Sequence, residues 1–166
     1  MLFRSPAAGG RRPLNAVRKR TAAHTTRAWQ TIPHVLQAVE VDFHRVQQAR
    51  AAIGDAWMQR EGFELTYLAF IASAVASSLR KFPLLNASMD GDDLVVHGRV
   101  NLGIAVDLAF EGLIVPVVKD ADTLSVAQLA RAIRSLAQSA RASRLKPDDV
   151  AGATRSEEHT SKLQSH

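Results

Sequence analysis

The sequence predicts a mixed α/β domain of the α+β kind, with helices packed against a largely antiparallel or mixed sheet. Three observations carry this. Residues 66–82, TYLAFIASAVASSLRKF, are apolar nearly all round, the mark of a helix buried in the middle of a domain. The stretch that follows, to about residue 118, is cut into strand-length runs by turn signals at Asp90-Gly91-Asp92 and Glu111-Gly112. The order of elements is helix, strand, helix, helix, three strands, helix, without a repeat, which is not a βαβ series. A chain of 166 residues, 46% apolar and 22% charged, suits one domain with a real core.

Residues 1–13, MLFRSPAAGGRRP, mix Pro, Gly and Arg and read as a flexible basic linker. Asn15 can cap a short helix with Val17, Thr21, His24 and Ala28 along one side. After Pro33, the run HVLQAVEVD suggests a strand, with Val35, Gln37, Val39 and Val41 on one side. Asp42 can cap the next helix, whose apolar stripe is Phe43, Val46, Ala49, Ile53 and Trp57. Thr66 opens the buried helix, which ends at Pro83. Three strands are expected at 94–98, 100–107 and 113–118, the last at an edge or bulged because of Pro116. Ser125 and Gln128 form a capping box with Leu124 and Leu129 as hydrophobic staple. The helix they start should run to about Arg144 and bury Val126, Leu129, Ile133, Leu136 and Ala140.

Composition removes several function classes. There is no cysteine, so disulfides, thiolate catalysis and Cys-based zinc sites are excluded, and a reducing compartment fits. No apolar run reaches the roughly 18 residues of a membrane helix, so no membrane partner is expected. The net charge of +5 is misleading: residues 1–20 hold six basic side chains and no acid, while residues 21–154 hold 13 basic and 14 acidic ones. A near-neutral body lacks the basic face of a nucleic-acid module, so no nucleic acid is expected either. The Arg-rich leader imitates a mitochondrial transit peptide, but the helix from Asn15 onward belongs to the domain itself.

Chemistry is sparse. His24, His34, His44 and His97 stand in no metal-ligand or triad spacing, and each reads as structural. The acidic run Asp90, Asp92, Asp93 imitates half a calcium loop, but residue 101, Asn, fills the place where such a loop needs Glu. No metal site is expected.

Longer phrases say more. FPLLNAS, NLGIAVD and GLIVPV, in this order and spacing, resemble the catalytic domain of the dihydrolipoyl acyltransferases of 2-oxo acid dehydrogenase complexes. The likeness runs almost without a gap from Leu14 to Thr154. It implies a chloramphenicol-acetyltransferase-like fold, a two-layer mixed sheet with packed helices, assembled as a homotrimer within a larger core. It also implies coenzyme A and a lipoyl group, carried on a separate lipoyl domain, as the two reaction partners, and a bacterial cytoplasmic location. In the family a histidine of an HxxxDG motif takes the thiol proton, and a Ser or Thr in a TFTISN-like strand donates to the oxyanion. Neither segment is found in this chain, so no catalytic residue is assigned. Three coenzyme A-binding positions carry over: Arg50 of DFHRVQQAR, Thr66 of ELTYLAF and Asp107 of NLGIAVD. Arg pairs with phosphate, and a hydroxyl and a carboxylate bond the adenosine or pantetheine groups. A non-catalytic assembly subunit of such a complex is the alternative.

After Thr154 the sequence changes character. RSEEHTSKLQSH is polar throughout and reads like the translation of a common sequencing-library adapter. The expected division is therefore a linker over 1–13, a partial acyltransferase domain over 14–154, and a non-native tail over 155–166 that lies outside the fold.

Overall fold

The computed structural model describes Arg11, residues 13–109 and residues 112–158. Most of the expected linker, one residue of the Glu111-Gly112 turn and residues 159–166 of the tail lie outside the described residues.

Helix α1 (Ala16–Thr31) starts where Asn15 accepts the Arg18 amide at 2.8 Å, a side-chain N-cap. It buries no residue; of its expected face only Ala28 is half-buried. The strand expected after Pro33 does not form. Residues 33–43 carry no regular element, and Val35 and Leu36 are 92% and 94% exposed. Alternation favours an extended backbone, but a strand also needs a neighbour to pair with, and among the described residues none lies alongside.

Helix α2 (His44–Glu61) begins where Asp42 accepts the His44 amide at 2.7 Å. It ends at Gly62, whose φ of 71° places it in the left-handed region that glycine adopts without strain. The two ends of its apolar stripe are used and the middle is not: Phe43 and Val46 are half-buried and Trp57 is buried, whereas Ala49 and Ile53 are exposed. Helix α3 (Tyr67–Lys81) is the central helix, burying Leu68, Ala69, Ala72, Ala76 and Leu79. The small alanines let α4 (Val126–Arg141) approach α3 closely. The capping box of α4 is in place, Ser125 accepting from the Gln128 amide and Gln128 from the Ser125 amide. Leu129 and Ala140 are buried, with Ile133 and Leu136 packed against the same core.

Strands β1 (Ala87–Asp90) and β2 (Asp93–Val96) form an antiparallel hairpin around Gly91. β1 was not anticipated; the turn chemistry pairs it with β2 although its own residues do not alternate. Strand β3 (Leu102–Asp107) is the axis of the second sheet. The run 113–118 is split into β4 (Leu113–Ile114) and β5 (Val117–Val118), both antiparallel to β3. Pro116 sits at the break, where it has no N–H for a ladder but its carbonyl accepts from Ile104 at 2.8 Å.

A further strand, β6 (Arg155–Glu158), runs parallel to β3 with Leu102 opposite Arg155. The expectation that the chain leaves the fold at Thr154 is corrected here for residues 155–158. A ladder is made of backbone groups and tolerates polar side chains, so the absence of apolar alternation did not prevent it. Asn101 guides the entry: its amide donates to Thr154 Oγ1 at 3.0 Å, its Nδ2 to the Gly152 carbonyl at 2.9 Å, and its carbonyl accepts from the Thr154 amide at 2.9 Å. Gly103 fits the same place, since a Cβ there would stand 2.8 Å from Val115 Cγ1 and 3.1 Å from Ser156 Oγ.

The sheet is therefore mixed, with α3 and α4 packed together and against it, as expected. The main core joins Leu68, Ala72, Ala76 and Leu79 of α3 to Leu102 and Ile104 of β3 and Leu129 of α4. A smaller cluster of Trp57, Leu65, Ala69 and Ala130 fastens α2 onto α3 and α4.

Candidate functional site

The loop between α2 and α3 builds a corner from residues 64–67. Leu65 is buried in the smaller cluster and anchors the loop, so the residues on either side are held in place. Arg50 reaches into this corner from α2. Its Nε donates to the Leu65 carbonyl at 2.6 Å, and its guanidinium lies 4.6 Å from the centre of the Tyr67 ring, a cation–π contact. Nη2 donates to the Glu64 carboxylate. Tyr67 is itself set by an edge-to-face contact with Phe43, centroids 5.9 Å apart. Arg50 is thus oriented from three sides, while its side chain stays 26% exposed.

Thr66 is the N-cap residue of α3, but its side chain makes no capping hydrogen bond. The capping role open to a threonine there is not used. Thr66 is exposed and stands in the chain between Arg50's two anchors, Leu65 and Tyr67. Arg50 and Thr66 therefore share one corner, although 16 positions separate them in the sequence.

Asp107 lies elsewhere in the fold. It is the exposed last residue of β3, opposite Leu113 of β4. α1 passes close to this end of the sheet: a Cβ on Gly112 would stand 2.6 Å from Val17 Cγ1.

Two polar arrangements escaped the sequence reading because their partners are far apart along the chain. Glu61, at the end of α2, takes a bidentate hydrogen bond from Arg131 of α4, Nε at 2.8 Å and Nη2 at 2.7 Å, and a third from Arg60 at 2.8 Å. The Arg131 bond, and after it the Arg60 bond, pulls the Glu61 carboxyl from 4.5 down to about 2. Glu61 in turn raises Arg131 above its ordinary value. Both arginines also lie over the Trp57 ring. This is a clamp between helices, and the sites of chemistry do not include it.

The second is Asn86 of FPLLNAS, 2% exposed. Its Nδ2 donates to the carbonyls of His97 and Arg99 at 3.1 and 2.9 Å, and its backbone carbonyl accepts from the His97 amide at 2.9 Å. It ties the hairpin to the approach to β3. His97 meets Ser88 Oγ through Nε2 at 3.1 Å, and His34 packs edge-on against Trp29 at 4.3 Å. Among the described residues no cluster of three or more His, Cys, Asp or Glu could hold a metal, and no helix is long and apolar enough to cross a membrane.

The central buried helix, the mixed sheet and the Arg50 corner can now be set beside known proteins. The family model for 2-oxoacid dehydrogenases acyltransferase (catalytic domain) matches residues 7–156. This chain belongs to that family. A solved structure from Listeria monocytogenes, a probable dihydrolipoamide acetyltransferase, superposes with a TM-score of 0.89 at 39% identity, covering 96% of this chain and 68% of the other. The cubic core of a pyruvate dehydrogenase multienzyme complex gives 0.85 at 31% identity, covering 91% and 62%. The dihydrolipoyllysine-residue acetyltransferase component of the Cupriavidus necator pyruvate dehydrogenase complex is 38% identical over 139 residues, 84% of this chain and 25% of that protein. The chain spans 22–36% of the length of the first curated relatives it matches. The acyltransferase-core fold and family membership are thereby established.

Proposed function

We propose that this chain is the N-terminal portion of an acyltransferase core that moves an acyl group from dihydrolipoamide to coenzyme A in a 2-oxo acid dehydrogenase complex. The observation that carries the proposal is the corner at Arg50. A guanidinium fixed by a backbone carbonyl and an aromatic face stands beside a threonine hydroxyl free of its capping duty. Three of the guanidinium's five N–H groups remain for an oxyanion, which is the donor set a phosphate requires. Thr66 supplies a hydroxyl to the same ligand. Asp107 completes the set from the end of β3, reaching a different part of an extended molecule. The lipoyl group comes on a separate domain, in keeping with the dihydrolipoyllysine in the relatives' names.

Self-assembly belongs to the same proposal. Trp29, Val35, Leu36 and Val39 are 72–94% exposed along one continuous stretch, and Met89 and Leu94 are exposed on the hairpin. Packing against further copies, as a homotrimer within a larger core, would cover this apolar surface. A bacterial cytoplasmic setting belongs to the same proposal.

The 166 residues contain no HxxxDG and no TFTISN-like segment. Without a base for the thiol and a fixed donor for the intermediate, no acyl transfer is expected from the chain as it stands. Acetyl-dihydrolipoamide and coenzyme A mixed with the purified chain should give acetyl-coenzyme A at the buffer rate; acetyl-coenzyme A formed faster than that overturns the inactivity. Titration with coenzyme A should show saturable binding, and its absence at millimolar ligand rejects the substrate class.

A further inference from the structure

We propose that Glu64 is a built-in competitor for Arg50: an internal carboxylate on the guanidinium that an incoming phosphate must displace. The inference rests on the reading of Arg50 as a coenzyme A contact and adds what sets the strength of that contact.

The two edges of the pair are unequal. Arg50 is held by the Leu65 carbonyl and the Tyr67 ring as well as by Glu64, and its side chain is 26% exposed. Glu64 has no ion-pair partner but Arg50 among the described residues, and its side chain is 65% exposed. Breaking the pair therefore leaves the arginine in place and releases the carboxylate into water, where it is well solvated. The Nε/Nη2 edge is the fork that suits a bidentate oxyanion, and here Leu65 and Glu64 share it. A ligand phosphate either takes the Glu64 position or sits at the Nη1 side with an unscreened like charge nearby.

This arrangement has a chemical consequence. A singly charged anion replaces Glu64 with nothing gained, since one negative charge leaves as another arrives. A phosphate monoester, carrying more charge and more acceptor oxygens, gains on the exchange. Glu64 thus keeps Arg50 aimed in the empty state and raises the threshold for what can bind it. It is a specificity-setting residue and takes no part in bond making.

The test is a double-mutant cycle on the full chain, with coenzyme A as probe and affinity read by titration calorimetry. Glu64→Gln should bind coenzyme A about two- to five-fold more tightly, the range expected when an exposed ion pair no longer competes. Arg50→Gln should weaken binding, and adding Glu64→Gln to it should bring no further change. Chloride should weaken binding more steeply in Glu64→Gln than in the parent. Glu64→Ala, which removes the carboxylate altogether, must move in the same direction as Glu64→Gln, and circular dichroism melts of every variant report that it is folded. Arg50→Gln weakening binding while both Glu64 variants leave it unchanged or weaker overturns the role of Glu64 and leaves the Arg50 reading standing. Binding that Arg50→Gln does not alter overturns the Arg50 reading itself, and with it this proposal.

Discussion

The two ends of this domain spend their apolar residues in opposite ways. Around β3, the side chains of Ala72, Leu102 and Leu129 are 0% exposed, and helices and strand close on one another within the chain. In α1 and the stretch up to residue 43, nothing of α1 is buried and Val35 and Leu36 stand more than nine-tenths exposed. Both regions are rich in apolar side chains, so composition does not separate them. What separates them is whether the complementary surface lies in the same chain. The packed half holds the fold; the open half leaves apolar side chains that no other described part of the chain covers, the surface proposed above for self-assembly. The Arg50 corner lies at the boundary, on the helix that follows the open stretch.

That contrast can be broken by mutation. Leu129→Ala removes a side chain from the densest place and should cost about 3–5 kcal/mol, read by urea unfolding. Asn86→Ala leaves the carbonyls of His97 and Arg99 without their buried donor and should cost roughly 1–3 kcal/mol by the same measurement. Ser125→Ala removes the cap of α4 for about 1 kcal/mol.

Glu61→Gln should have a smaller effect, and its dependence on pH is the sharper readout. The Glu61 carboxyl is held at about 2 in the folded chain against 4.5 unfolded, so its contribution is fully present above about 4.5 and is lost as pH falls through about 2. The Tm gap between parent and Glu61→Gln should therefore be constant above pH 5 and close toward pH 2. A gap that persists at pH 2 would assign the effect to packing.

At the small end, Leu36→Asp should shift stability by no more than about 0.5 kcal/mol, as for a surface position. It should nevertheless lower the sedimenting mass of a self-associated chain. A loss of stability comparable to that of Leu129→Ala would erase the distinction between the two halves.

The contrast also governs what could be read in advance. α3 and α4 were legible because their burial is written into local spacing and, for α4, into the pair Ser125 and Gln128. The run 33–42 misled because alternation records a preference for extended backbone and says nothing of a partner strand. β1 and β6 were hidden for the opposite reason: a turn at Gly91 and the anchor at Asn101 pair them through backbone groups, whatever their side chains. At the site, Arg50, Thr66 and Asp107 came from family likeness alone. Glu64 could not be connected with Arg50 across 14 intervening steps, nor Glu61 with Arg131 across 70. Ion pairs between elements leave no periodic trace.

The Asn101 anchor has a kinetic corollary. Its bonds to Thr154 and Gly152 join residues 53 and 51 apart, so the β3–β6 ladder must wait for a long loop to close. The hairpin of β1 and β2, whose partners lie 3 to 9 residues apart, needs a far shorter search and should be structured first. Refolding watched by hydrogen exchange should then protect the β1–β2 hairpin amides early, with the β6 amides the last to gain protection.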